Sequence, residues 1–134
     1  MISINGGNKS QRRYAESMAY YVCEKFNIAP LIEINFRLMS NDDTLGYCSH
    51  VNEDGFEIDI KRSQKLRSML TTLAHEMVHV KQYLEGAIPD DYRDQIDYWD
   101  RPWEIEAHGR ETGLFVRWCE YHRLGHLKWT QEPI

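Results

Sequence analysis

Apolar residues at helical spacing come first along the chain. Tyr14, Met18, Tyr21, Val22 and Phe26 recur within KSQRRYAESMAYYVCEKFN, residues 9–27. Ser10 offers a cap and Pro30 lies just past the end, so the segment predicts an amphipathic helix that closes over a sheet. The period then changes. LIEINFRLM (31–39) alternates apolar and polar side chains, as a half-buried strand does. TLGYCSHV (44–51) and FEIDIKR (56–62) predict two further strands, the latter with Phe56, Ile58 and Ile60 on one face. The turn signal NEDG (52–55) joins them into a hairpin. From Ser63 the spacing is helical again, through Leu66, Met69, Leu70, Leu73, Met77, Val78 and Leu84, with Ser63 as a cap and Gly86 beyond the last turn. Apolar residues surround much of this helix, which predicts a central, buried position. An irregular acidic and aromatic connection (88–102) leads to a final helix that starts near Asp100 and Pro102 and ends about Tyr121. The expected fold class is α+β: one domain over residues 1–134, with a small, mostly antiparallel sheet, a covering N-terminal helix and two later helices.

Composition narrows the classes. A chain of 134 residues that is 42% hydrophobic can fill one compact core. Its net charge of −5 argues against a nucleic-acid partner, which usually meets a basic face, and leaves peptides and proteins open. No stretch approaches the roughly 18 apolar residues of a membrane span, and the first residues lack the apolar core of a secretion signal. Cys23, Cys48 and Cys119 are widely spaced and odd in number, which predicts free thiols in a reducing cytoplasm rather than disulfides.

The candidate chemistry lies in LAHEMVHVKQY, residues 73–83. Residues four apart on a helix share a face, so His75 and His79 can converge on one point. Imidazole nitrogens suit Zn²⁺, and a catalytic zinc keeps one position for water. Glu76, one residue along, stands beside the pair and can accept a proton from that water. A third ligand is offered by RPWEIEAHGRE, residues 101–111.

At these two segments the chain resembles the gluzincin metallopeptidases, in particular their minimal, single-domain members. The resemblance covers residues 56–111, as a strand, an HExxH helix and a later glutamate helix. It implies a zinc peptidase in which His75, His79 and a glutamate of the final helix hold Zn²⁺ and Glu76 is the general base. The family's glutamate often lies in an ExxA or ExxxD context; here Glu104 shares a stripe with Ala107, His108, Glu111, Phe115 and Trp118, whose apolar members turn it inward, and that favours it. Glu106 is the second choice, since it shares a polar face with Arg110 and makes an ordinary i, i+4 pair there. The family often places an aspartate four residues after its glutamate ligand to orient a histidine; His108 stands at that position here.

His108 also raises a rival. EAHG can be read as a third histidine ligand, as in SprT-like proteases, although Thr112 stands where those carry an aromatic residue. A further alternative is a zinc-binding regulatory or interaction protein with little peptidase activity, against which the intact Glu76 speaks. Tyr98 is a possible donor to an oxyanion, with packing the more ordinary role; Tyr92 and Trp99 share its connection. His50, His122 and His126 read as surface histidines, and Trp103, Trp118 and Trp129 as packing residues. The strand Phe56–Lys61 is expected to receive an extended peptide by strand addition.

Overall fold

The computed structural model describes residues 1–39, 44–89 and 96–132; Tyr92 lies outside them. In chain order the elements are β1 (Ile2–Asn5), α1 (Lys9–Phe26), β2 (Leu31–Arg37), β3 (Gly46–His50), β4 (Gly55–Lys61), α2 (Leu66–Leu84) and α3 (Pro102–Tyr121), with single 3-10 turns at Tyr98–Asp100 and Lys128–Gln131. The α+β class holds, but the sheet is not mostly antiparallel. Its order is β1-β2-β4-β3, and β1 with β2 and β2 with β4 are parallel pairs. Only the β3–β4 hairpin is antiparallel, pairing Gly46 with Ile60 and His50 with Phe56. The difference has two sources. ISIN at the N-terminus forms an unanticipated strand, and α1 is the crossover that returns the chain parallel to it, as a parallel pair requires. Between β2 and β4 the chain first lays β3 at the far edge and then comes back inside it.

This order also corrects the expected peptide-binding strand. Residues 56–61 belong to β4, which is hydrogen-bonded on both sides, so its backbone has no open edge. The edge beside the helices' functional side chains belongs to β3.

One sheet face is apolar and one polar, as alternation dictates. Ile32, Ile34, Phe36, Phe56, Ile58 and Ile60 are buried in a core with Met18 and Val22 of α1 and Leu70, Leu73 and Met77 of α2. On the other face polar side chains bridge the strands: Asn35 donates to Glu57 and Asp59 at 3.1 and 3.2 Å, and Arg37 pairs with Asp59 at 3.0 Å.

Helix ends differ from expectation by a residue or two. Asn8, not Ser10, caps α1: its side chain accepts from Gln11 N at 2.8 Å while the Gln11 side chain accepts from Asn8 N at 2.9 Å. α2 begins after Lys65, without a side-chain cap, and α3 after Arg101. Gly86 adopts φ 72° beyond α2, where a side chain would be strained. α2 lies across the sheet with twelve of its residues buried, from Met69 to Gln82, and α3 packs along it.

Candidate metal centre

The face shared by His75 and His79 on α2 meets Glu104 of α3. One carboxylate oxygen, Glu104 Oε1, lies 3.1 Å from His75 Nε2 and 3.1 Å from His79 Nε2. The two imidazole rings stand nearly perpendicular, with centroids 4.8 Å apart. All three side chains are nearly buried, yet they border a cleft of about 440 Å³ lined also by Gly46, Tyr47, Tyr83, Ile88, Tyr98 and Trp103.

Each histidine has a partner on its other nitrogen. His75 Nδ1 lies 3.1 Å from Glu111 Oε1, and His79 Nδ1 lies 2.7 Å from Gln82 Oε1. Glu111 Oε1 also lies 2.8 Å from His108 Nδ1, and His108 Nε2 is 2.9 Å from the Tyr98 hydroxyl. Tyr98 in turn donates to Glu104 Oε1 at 3.1 Å. A closed ring of hydrogen bonds therefore links His75, Glu104, Tyr98, His108 and Glu111.

The charges are strongly coupled. Burial works against a charged His75, but the adjoining Glu104 and Glu111 carboxylates overcome it and hold the imidazolium up to about 10. Against the same desolvation, Glu104 keeps its proton off far below the usual carboxylate range, because both histidines bond to it. His79 is also raised: burial opposes its charge, but the bond to Glu104, the nearby Glu76 carboxylate and the Gln82 oxygen outweigh it. Glu76 is shifted the other way from Glu104: it is buried at the cleft wall, and that burial lifts its carboxyl above the ordinary value despite the two histidines.

Glu76 faces β3 at a close approach. A methyl group added at Gly46 would meet Thr72 Cγ2 at 2.6 Å and Glu76 Oε2 at 3.3 Å. Gly46 thus lets the edge strand pass directly over α2 beside this carboxylate. Gly46→Ala is expected to lower stability by about 1–3 kcal/mol through overpacking, read as a lower denaturation midpoint. An unchanged midpoint would show that the strand is free to move aside.

Glu106 does not join the cluster. Its two oxygens accept from Gln82 Nε2 at 2.8 Å and Arg110 Nε at 2.9 Å, the latter being the i, i+4 pair read from the sequence. His108 is turned to Tyr98 and Glu111, and its ring packs against His75 with centroids 4.4 Å apart. Among the described residues, ligand-type atoms lie within 4.8 Å of one another in two groups, His75–Glu76–His79 and His75–His108–Glu111. His50, His122 and His126 are exposed, while Trp103 and Trp118 are buried and Trp129 packs against the core.

No family model, curated protein or solved structure matches this chain. Two imidazole nitrogens and one carboxylate oxygen converging at the wall of an open cleft fit a borderline cation such as Zn²⁺, and the acidic surroundings suit its charge. The sequence reading did not assign roles to Glu111, Gln82 and Gly46. Glu111 lay on the stripe with Glu104, and Gln82 lies one turn beyond His79, so their faces were legible. The atoms they contact were not.

Proposed function

We propose that this chain is a zinc-dependent peptidase of gluzincin type, with His75, His79 and Glu104 as metal ligands and Glu76 as general base. The observation that carries the reading is the single Glu104 oxygen equidistant from both Nε2 atoms, at the wall of a cleft that also holds Glu76. Bound there, Zn²⁺ would supply Lewis acidity, polarising a peptide carbonyl and bringing the pKa of water down to about 7. Glu76 accepts one proton from the attacking water as the new C–O bond forms, and returns it to the amine nitrogen as the C–N bond breaks. Tyr98, whose hydroxyl sits 3.1 Å from Glu104, is placed to donate to the oxyanion formed from the carbonyl.

The edge strand β3, with Gly46 beside Glu76, offers the main-chain groups along which an extended substrate can lie. Glu111 replaces the aspartate that the family resemblance leads one to expect, reaching His75 from one turn further along α3. Glu106 is tied to Gln82 and Arg110, and His108 to Glu111 and Tyr98, which favours Glu104 over both as third ligand. Among the described residues no helix is long and apolar enough to cross a membrane. Three buried free cysteines fit a reducing cytoplasm as the place of action.

The test is cleavage of a mixed peptide library by zinc-loaded protein, with a chelator-stripped sample alongside. Cleavage that disappears on stripping and returns with zinc supports the reading; zinc-independent cleavage would refute it. In the same assay Tyr98→Phe is expected to lower kcat on the order of 10²-fold with little change in KM, as loss of one oxyanion donor does. An unchanged kcat would return Tyr98 to a packing role.

A further inference from the structure

Gln82 is a wholly buried amide, at 0% exposure, on the active-site helix. An amide can point either way, but here its environment settles the direction. One end lies 2.8 Å from the Trp103 carbonyl oxygen and 2.8 Å from Glu106 Oε1. Both are acceptors, so that end must be the NH₂ group. The opposite end, Oε1, can only accept, and it lies 2.7 Å from His79 Nδ1. His79 must therefore carry a proton on Nδ1, which commits Nε2 to the point it shares with Glu104.

We propose that Gln82, oriented by Glu106 and the Trp103 carbonyl, is a positioning residue that fixes the His79 tautomer and ring angle for metal binding. The inference rests on the zinc-site reading above. It gives Glu106 a task other than ligation: α3 supplies Glu104 to the metal directly, and one face away supplies the anchor that aims His79. It also makes the two histidines unequal. His75 is held by a carboxylate, Glu111, and His79 by a neutral amide whose direction depends on a second helix. Any displacement of α3 along α2 would move Glu104 and the Gln82 anchor together, so the ligand and the histidine it must meet are kept in register.

The experiment compares wild type, Gln82→Met and Glu106→Ala. Gln82→Met keeps the side-chain length and removes both hydrogen-bonding ends. Glu106→Ala removes one of the two acceptors that orient Gln82, together with the Arg110 pair, at a partly exposed site, and guards against a folding defect in the first variant. Zinc affinity is measured by chelator competition, and the Co²⁺-substituted proteins are examined by proton NMR. In wild type, two exchangeable Nδ1–H signals, from His75 and His79, should be shifted by the cobalt. Gln82→Met is expected to weaken zinc binding roughly 10–100-fold and to broaden or lose one of the two signals, as removal of a histidine's supporting partner does. Glu106→Ala should weaken zinc binding several-fold less. Equal affinity in all three proteins, with both signals retained, would overturn the positioning role and leave the metal site standing. No uptake of zinc or cobalt by the wild type would overturn the metal site and the positioning role with it.

Discussion

Glu76→Gln should lower peptide cleavage by roughly 10²–10⁴-fold, the usual contribution of a positioned general base, while leaving bound zinc unchanged. The substitution preserves shape in a place where shape matters. Glu76 is buried, and its Oε2 lies close under Gly46 of the edge strand. Glutamine fills the same volume but has no basic oxygen to take a proton from water, so the loss should fall on kcat rather than on binding. Measuring kcat, KM and zinc content on the same preparation separates the possibilities. Lost activity with zinc retained is the expected pattern. Activity retained in a zinc-loaded variant would mean that another group serves as base.

Glu104→Ala should strip the site more severely. The loss in zinc affinity should exceed the roughly 10–100-fold that follows removal of a supporting partner, because a ligand itself is removed. Among the described residues the other carboxylates of α3 are already engaged, and the nearest alternative donors, His108 and Glu111 beside His75, would hold zinc without His79. Glu106 is engaged with Gln82 and Arg110, and Glu111 with His75 and His108. Cleavage should fall with occupancy and recover in part at high zinc. Zinc retained at wild-type affinity would mean that Glu104 is not a ligand.

The same variant has a signature in metal-stripped protein, for which the signs can be worked out. His75 has a raised folded value, so its pairing stabilises fully below the unfolded value near 6.5 and is lost as pH rises through about 10. Glu104 has a depressed value, so its contribution is present above the unfolded value of about 4.3 and fades as pH falls. Metal-stripped wild type should therefore lose more stability than Glu104→Ala between pH 6 and pH 10, as followed by denaturant titration. Parallel stability curves would contradict the coupling.

Much of the fold was legible because its period is strong. The alternation in Leu31–Arg37 and Gly55–Lys61, and the apolar circumference of Leu66–Leu84, marked a central sheet and a buried helix within a residue or three of their ends. Strand direction was not legible. Alternation encodes which face is buried and says nothing about whether a neighbour runs parallel, so the hairpin was found while the parallel pairs were missed. ISIN is too short to show a period, yet it pairs with β2 residue for residue from Ile2 with Ile32 to Asn5 with Asn35. The site divides along the same line. Helical spacing put His75 and His79 on one face and Glu104 on the inward stripe of α3, whereas the contacts of Gln82 and Glu111 depend on how α3 is offset along α2, and no local pattern records that. Thr130 illustrates the remainder: residues 122–134 carry no clear hydrophobic period, but Arg67 Nη1 donates to the Thr130 carbonyl at 2.9 Å and ties this segment to α2.

The most direct test of the central claim is the zinc content of the purified wild-type chain, measured by elemental analysis after removal of loosely bound metal. The account predicts about one zinc per chain, restored by reconstitution after chelation. No bound zinc, even after reconstitution of folded protein, would contradict it and leave His75, His79 and Glu104 as a hydrogen-bonded cluster without a metal.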